Sequence, residues 1–333
     1  MRKFILGSCA AALFLLAGCG STETKSNPEE VKPVKIGITQ FVEHPSLDDN
    51  RKGFIDALKD AGYEDGKNLK LDVQFAQGDM SNNVSIGQKF VSEKNDLILA
   101  ISTPSAQSAA KAAEGTDIPV VFSAVSDPKA AKLVTDYEKP GGNISGVSDK
   151  DPDNFYHAVK AIKDFYPDAK TVGILYNSGE QNSLQLLEVV KQHMQELGLE
   201  AIEAPATRSS EVQQAAESLI GRVDAFAYFM DNTVASALES VIKVANEQKI
   251  PFFAGDIDSV KRGVLAAYGF EQYDMGYQAG QMAVEILKGK KAGDLPVIFP
   301  SGVKLYVHKE TADILGLELT PELTKDAVIV GKE

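Results

Sequence analysis

Ser102-Thr103-Pro104 sets two hydroxyl residues ahead of a proline, which is how a helix is opened: a hydroxyl N-cap followed by Pro in the first turn. Such a start turns free N–H donors and the positive end of the helix dipole forward, so the tripeptide is either a plain cap or the seat of a carboxylate. Asp231 and Asp256 each follow an apolar run that reads as a strand, and each is either a capping acid or an acceptor for an ammonium. A carboxylate seat on one element and ammonium acceptors on others describe a site for a zwitterion. Phe41, Tyr176, Phe229 and Tyr268 lie at further strand ends and are either core or a face on which a ring could stack.

Covalent chemistry finds less support. No G-x-S-x-G elbow, H-E-x-x-H pair or Walker A loop occurs. The four histidines, His44, His157, His193 and His308, are scattered, and only His44 beside Glu43 places an acid next to an imidazole in a candidate loop. Both cysteines, Cys9 and Cys19, fall in the first twenty residues, so the body has no thiol for a disulfide, a metal or a nucleophile. A net charge of -13 speaks against nucleic acid as a partner. The expectation is a binding protein rather than an enzyme, with no cofactor and no metal.

The elements that must position these residues alternate between two periods. From Val34, short β-branched runs of period two alternate with helical runs, the pattern of βαβ units and parallel sheets. Expected strands are 34–38, 69–75, 96–101, 118–122 and 144–147 in a first half, and 171–176, 200–204, 225–229, 250–254 and 264–268 in a second. Helices fall between them at 46–61, 82–93, 103–113, 182–197, 210–220 and 233–248. Ser46 with Asp49 and Asn182 with Gln185 have capping-box spacing, and Gly62 and Gly198 end their helices. Leu197-Gly198-Leu199 stands 136 residues after Ala61-Gly62-Tyr63, Asp224 stands 128 after Asp96, and the Ile250-Pro251 start stands 132 after Ile118-Pro119, which makes the halves related lobes. The tail brings a helix at 273–288, short strands at 296–299 and 305–307, and a last turn at 312–315. With 333 residues, 44% of them hydrophobic, the chain has material for two cores.

Ahead of the lobes, Met1-Arg2-Lys3 and the apolar run to Gly18 read as a signal peptide over 1–18. Leu16-Ala17-Gly18-Cys19 has the form of a bacterial lipobox, making Cys19 the site of lipidation and residues 19–33 a polar tether. The lobes are then 34–150 with about 270–296, and 151–269 with about 297–333. No other segment is long and apolar enough to span a bilayer, so the lipid would be the sole membrane attachment.

Four segments, Gly37–Asp48 (GITQFVEHPSLD), Val120–Pro128 (VVFSAVSDP), Gly141–Asp149 (GGNISGVSD) and Gly173–Ser183 (GILYNSGEQNS), resemble the ABC transporter substrate-binding family that includes tryptophan- and aromatic-amino-acid-binding lipoproteins. The resemblance covers essentially the whole mature chain. It implies a periplasmic-binding-protein type I fold of class α/β: two Rossmann-like lobes with parallel sheets, joined by a three-strand hinge and closing on a ligand. It further implies a monomer on the extracytoplasmic face of the membrane, delivering an aromatic amino acid such as tryptophan or phenylalanine to a permease and ATPase. The family's loop motifs map onto Gln40, Ser102, Thr103, Ser105, Asn177, Asp231 and Asp256, the first lobe taking the ligand's carboxylate and the second its amino group. With no Trp in the chain, a ligand ring would rest on Phe and Tyr. The competing readings are an extracellular sensor on the same fold and a secreted α/β enzyme.

Overall fold

A computed structural model describes residues 32–150 and 152–332. The signal peptide, Cys19 and the tether up to residue 31 lie outside the described residues.

In the first lobe, β1 (Val34–Gln40), β2 (Leu69–Phe75), β3 (Leu97–Ile101), β4 (Val120–Val125) and β5 (Ile144–Ser148) form a parallel sheet in the order β2-β1-β3-β4-β5. Both faces of β3 and β4 are covered, which is why β3 is apolar throughout and β4 is broken only by Ser123. The connecting helices are α1 (Pro45–Asp60), α2 (Met80–Ser92) and α3 (Thr103–Ala113).

The second sheet contains β6 (Thr171–Asn177), β7 (Glu200–Ala206), β8 (Ala225–Tyr228), β9 (Phe252–Ala254), β10 (Ala266–Gly269), β11 (Lys304–His308) and β12 (Val328–Val330), in the order β12-β11-β10-β9-β8-β6-β7. Its helices are α4 (Pro152–Phe165), α5 (Gln181–Glu196), α6 (Ser209–Glu217), α7 (Asn232–Ser236), α8 (Leu238–Gln248) and α9 (Ile257–Arg262). After it come α10 (Gln272–Leu287), a 3-10 turn at Ala292–Asp294, and α11 (Lys309–Leu315).

Several local expectations are corrected. Ser46 and Asn182 are not N-caps: the helices start earlier, at Pro45 after His44 and at Gln181 after Glu180, and neither the His44 nor the Glu180 side chain caps a backbone N–H of its helix. Pro45 supplies the fixed φ that starts α1 one residue sooner. The helix expected over 233–248 breaks at Ala237 into α7 and α8. Residues 296–299 form no strand; Ile298 makes one bridge to Val147, donating to the Gly146 carbonyl (3.0 Å) and accepting from the Ser148 N–H (2.8 Å). This shields the outer edge of β5. The second sheet is not wholly parallel, because β11 runs antiparallel to β10. Helix α4, with Phe155, Ala158, Val159, Ile162 and Phe165 buried at helical spacing, belongs to the second lobe's core.

One core gathers the first lobe's strands and, far along the chain, Met275, Ala279, Met282 and Ala283 of α10. The second sheet buries a face against α4 and α5 and the other against α6, α8 and α9. The chain therefore passes between lobes three times: after Ser148, after Gly269 and between Ile298 and Lys304. Helix α10 lies almost backbone to backbone on α1. A Cβ on Gly276 would stand 1.7 Å from the Asn50 carbonyl oxygen, and one on Gly53 would stand 2.1 Å from that of Tyr273.

Candidate functional site

In parallel sheets the strand ends and the helix starts that follow them face one crevice. Here two such sets face each other across a narrow cleft with a cavity volume of about 40 Å3. The first lobe contributes His44, Ser46 and Leu47 at the start of α1, Thr103 at the start of α3, and Ala124 and Ser126 at the end of β4. The second contributes Asn182, Tyr228, Met230, Asp231, Asn232, Ala235 and Asp256, while Asp149 and Gln272 enter from two of the interlobe crossings.

Of the residues expected from sequence, Thr103, Asp231 and Asp256 line this cleft. Thr103 is buried and its hydroxyl has no partner among the described residues. Asp231 caps α7: one oxygen accepts from the Val234 N–H (2.7 Å), the other from the Asn177 N–H (2.5 Å) and the Ser183 hydroxyl (2.6 Å). Asp256 caps α9 by accepting from the Ser259 N–H (2.9 Å), and also accepts from the Tyr228 hydroxyl (2.5 Å).

Gln40, Ser102, Ser105 and Asn177 stand behind the lining. The Gln40 amide donates to the Val42 carbonyl (2.8 Å) and Asp48 (3.0 Å) and accepts from Arg51 (2.6 Å), which staples the His44 loop to α1. Ser102 ties β3 to β4 through its N–H to the Ser123 carbonyl (2.9 Å), and Ser105 donates to Asn83 (3.2 Å). The Asn177 side chain donates to Thr233 (2.7 Å). Phe41, Tyr176 and Phe229 are buried in the cores, and Tyr268 packs against the second one; none of the four lines the cleft.

Behind Asp231 lies Glu180, itself buried, whose carboxylate accepts from the Thr233 N–H (3.0 Å) and the Asn232 amide (2.6 Å). Burial, with the Glu180 charge adding to it, pushes Asp231 up to about 7. Burial also pushes Asp149 up to about 7, the Ser126 hydroxyl countering only in part. His44 is pushed down to about 4 by burial, against the pull of Asp256, so its imidazole is neutral at physiological pH.

Backbone strain concentrates here. Ser102, Ala124 and Met230 all carry positive φ (83°, 54° and 46°) at strand ends beside the cleft. Each such conformation costs about 1–3 kcal/mol and persists only where its surroundings enforce it.

The sequence marks His44 as the neighbour of Glu43 and Asn182 as a candidate helix cap, Ser126 lies inside the family-like segment Val120–Pro128, and Asn232 bears no mark of its own. Tyr228 read as part of a strand. Asp149 and Gln272 carried no signal of their own, because only the folded chain shows that the crossings enter the cleft.

The lobes touch across the cleft's rim. The Ser46 hydroxyl donates to Asp256 (3.3 Å), the Gln107 amide donates to Gln181, and the Gln181 amide donates to the Ala130 carbonyl (3.1 Å).

Two facing sheets, a cleft between their strand ends and three chain crossings define a type I periplasmic binding protein. The family described as ABC transporter substrate binding protein matches residues 35–330, and the chain belongs to that family. It is similar to a tyrosine-binding protein of Clostridioides difficile (strain R20291), with 43% identity over 310 residues, 91% of this chain and 89% of that protein. A Streptococcus pneumonia ABC domain solved in complex with L-Trp is 36% identical over 90% of this chain and 100% of its own, with a TM-score of 0.84. A ligand-free, open substrate-binding protein with adhesive properties from Clostridium difficile is 42% identical over 90% of this chain and 100% of its own, yet has a TM-score of 0.66. The higher identity goes with the lower superposition, as it does when lobes of the same fold stand at a different angle.

Proposed function

We propose that this chain captures a zwitterionic aromatic amino acid between its lobes and delivers it to the permease and ATPase of an importer. The cleft's chemistry carries the reading. Thr103 and the start of α3 offer donors suited to a carboxylate, acidic side chains offer acceptors suited to an ammonium, and Leu47, Met230 and Ala235 offer apolar wall for a ring. Relatives described as binding tyrosine and L-Trp support the ligand class. In this reading Thr103, Asp231 and Asp256 face the ligand, while Gln40, Ser102, Ser105 and Asn177 hold the loops that present them. Cys19 carries a lipid, the protein works as a monomer outside the cytoplasmic membrane, and it needs no cofactor.

Ligand contacts to both lobes favour the closed arrangement by differential affinity. A thermal-shift series with tyrosine, tryptophan and phenylalanine against leucine, glutamate, a nucleoside and glucose tests this, since a ligand bound by the folded state alone must raise its stability. Stabilisation by the aromatic amino acids is expected. Stabilisation by the sugar or nucleoside instead would overturn the ligand class and leave the fold assignment standing.

A further inference from the structure

Three acidic side chains line the cleft, and their hydrogen bonding sets one apart. Both oxygens of Asp231 accept from protein donors, and so do both oxygens of Asp256. Asp149 lies on the first crossing between lobes, is only 4% exposed, and leaves its Oδ1 without a partner among the described residues. Across the cleft, at the start of α5, the Asn182 carbonyl Oδ1 is in the same condition at 2% exposure. An orphaned buried acceptor is costly, and a buried carboxylate more so, unless something arrives to satisfy it.

We infer that Asp149, helped by the Asn182 carbonyl, receives the ligand's ammonium group and is the residue that selects amino acids over their des-amino counterparts. The assignment rests on the amino-acid reading above and deepens it. It also differs from the sequence expectation, which gave the ammonium to Asp231 and Asp256. Those two are occupied in capping α7 and α9.

A consequence is proton release. Burial pushes Asp149 up to about 7 when no cation faces it, and its neighbour Lys150 turns its ammonium away to Asp127 (2.5 Å). The other titratable groups facing the cleft are His44, Tyr228, Asp231 and Asp256, with Glu180 behind Asp231. Among them Asp231 shares the neutral range, so the assignment needs a variant that separates the two. An arriving ammonium favours the ionised form of Asp149, so its proton leaves on binding.

The test is titration calorimetry of the purified protein with tyrosine, tryptophan, 3-(4-hydroxyphenyl)propionate and indole-3-propionate, in two buffers of different ionisation enthalpy. The wild type should prefer each amino acid over its des-amino form by about 100-fold or more, because only the ammonium forms the buried ion pair with Asp149. It should release a substantial fraction of a proton near pH 6 and little near pH 8. Asp149→Asn should narrow the preference to about tenfold or less and abolish most of the proton release, and Asn182→Ala should narrow it by a smaller factor. An Asp149→Asn protein with wild-type preference and wild-type proton release overturns the assignment. If that variant fails to fold, wild-type protein that takes the des-amino acids as well as the amino acids overturns it equally. Wild-type protein that binds no amino acid at any pH sinks the ligand reading itself, a different and recognisable result.

Discussion

The Ser46 hydroxyl and the Asp256 carboxylate meet at 3.3 Å across the cleft, one on the first turn of α1 in the first lobe and the other at the N-cap of α9 in the second. Asp256 is therefore at once a helix cap, the acceptor for the buried Tyr228 hydroxyl and one side of a latch. Ser46→Ala leaves the cap and the Tyr228 bond intact and removes only the latch, which is worth about 1 kcal/mol, or roughly fivefold in ligand affinity. Gln181→Ala, which removes the bonds to Gln107 and the Ala130 carbonyl, should act in the same direction. Calorimetry should show weaker binding with little change in the melting temperature of the empty protein. An equal loss in both would show these side chains to be structural rather than closing contacts.

The α1–α10 seam offers a sharper perturbation. Gly276→Ala places a methyl carbon 1.7 Å from the Asn50 carbonyl oxygen, backbone that cannot swing aside as a side chain can, so the helices must part. Overpacking of this kind costs about 1–3 kcal/mol or more. Because α1 opens at His44 and α10 at Gln272, both in the cleft, affinity should fall together with stability. Denaturant unfolding and calorimetry on the same variant check both halves, and unchanged affinity would show that the seam does not position the site.

Ser102 holds φ 83° and ψ 158°, a conformation that glycine adopts freely. Its hydroxyl has no partner among the described residues, so Ser102→Gly forfeits no hydrogen bond. The variant should gain up to about 1 kcal/mol in denaturant unfolding, while Ser102→Val should lose about 1–3 kcal/mol. A destabilised glycine variant would mean that the hydroxyl serves the fold.

The buried titratable groups pull stability in opposite directions across the same mildly acidic range. Asp231 has a folded pKa near 7, above that of an unfolded aspartate, so it holds its proton in the folded state as the unfolded state loses it. Stability therefore falls as pH rises from about 4 to about 7 on its account. His44 works the other way: its folded pKa near 4 lies below the unfolded value, so stability falls as pH drops from about 6.5 to about 4. Relative to wild type, Asp231→Asn should thus improve as pH is raised across that range, and His44→Gln should improve as it is lowered. Parallel stability–pH curves for wild type and either variant would contradict the assigned shift.

Much of the fold was legible because its anchors are repeated. Asp96 accepts the N–H of Lys35 (2.8 Å) and Asp224 accepts that of Thr171 (2.8 Å), each fastening the first strand of its lobe to the turn before the third. The carbonyls of Pro119 and Pro251 likewise accept from Ile98 (2.9 Å) and Phe226 (2.8 Å). Gly62 and Gly198 both take positive φ at helix ends. Each of these features recurs at a matched place in the two halves, and the repeat reveals them. What escaped was set by distant contacts. The antiparallel β11 depends on where the tail returns, and the start of α5 at Gln181 depends on Glu180 turning its carboxylate to α7 rather than capping its own helix. The cleft shows the same division: strand-end loops could be read in advance, whereas Asp149 and Gln272 reach the cleft only through the crossings.

The return of α10 to the first lobe also has a bearing on the order in which this protein can mature. Phe54 and Leu58 on α1 belong to the core that Met275, Ala279 and Met282 complete. A chain emerging from its N-terminus thus carries the first lobe's strands long before it carries the helix that seals them. Until roughly the last fifth of the chain has appeared, that lobe has an open apolar flank and no stable partner for α1. Such delayed closure defers the final compaction of the first lobe until α10 is in place.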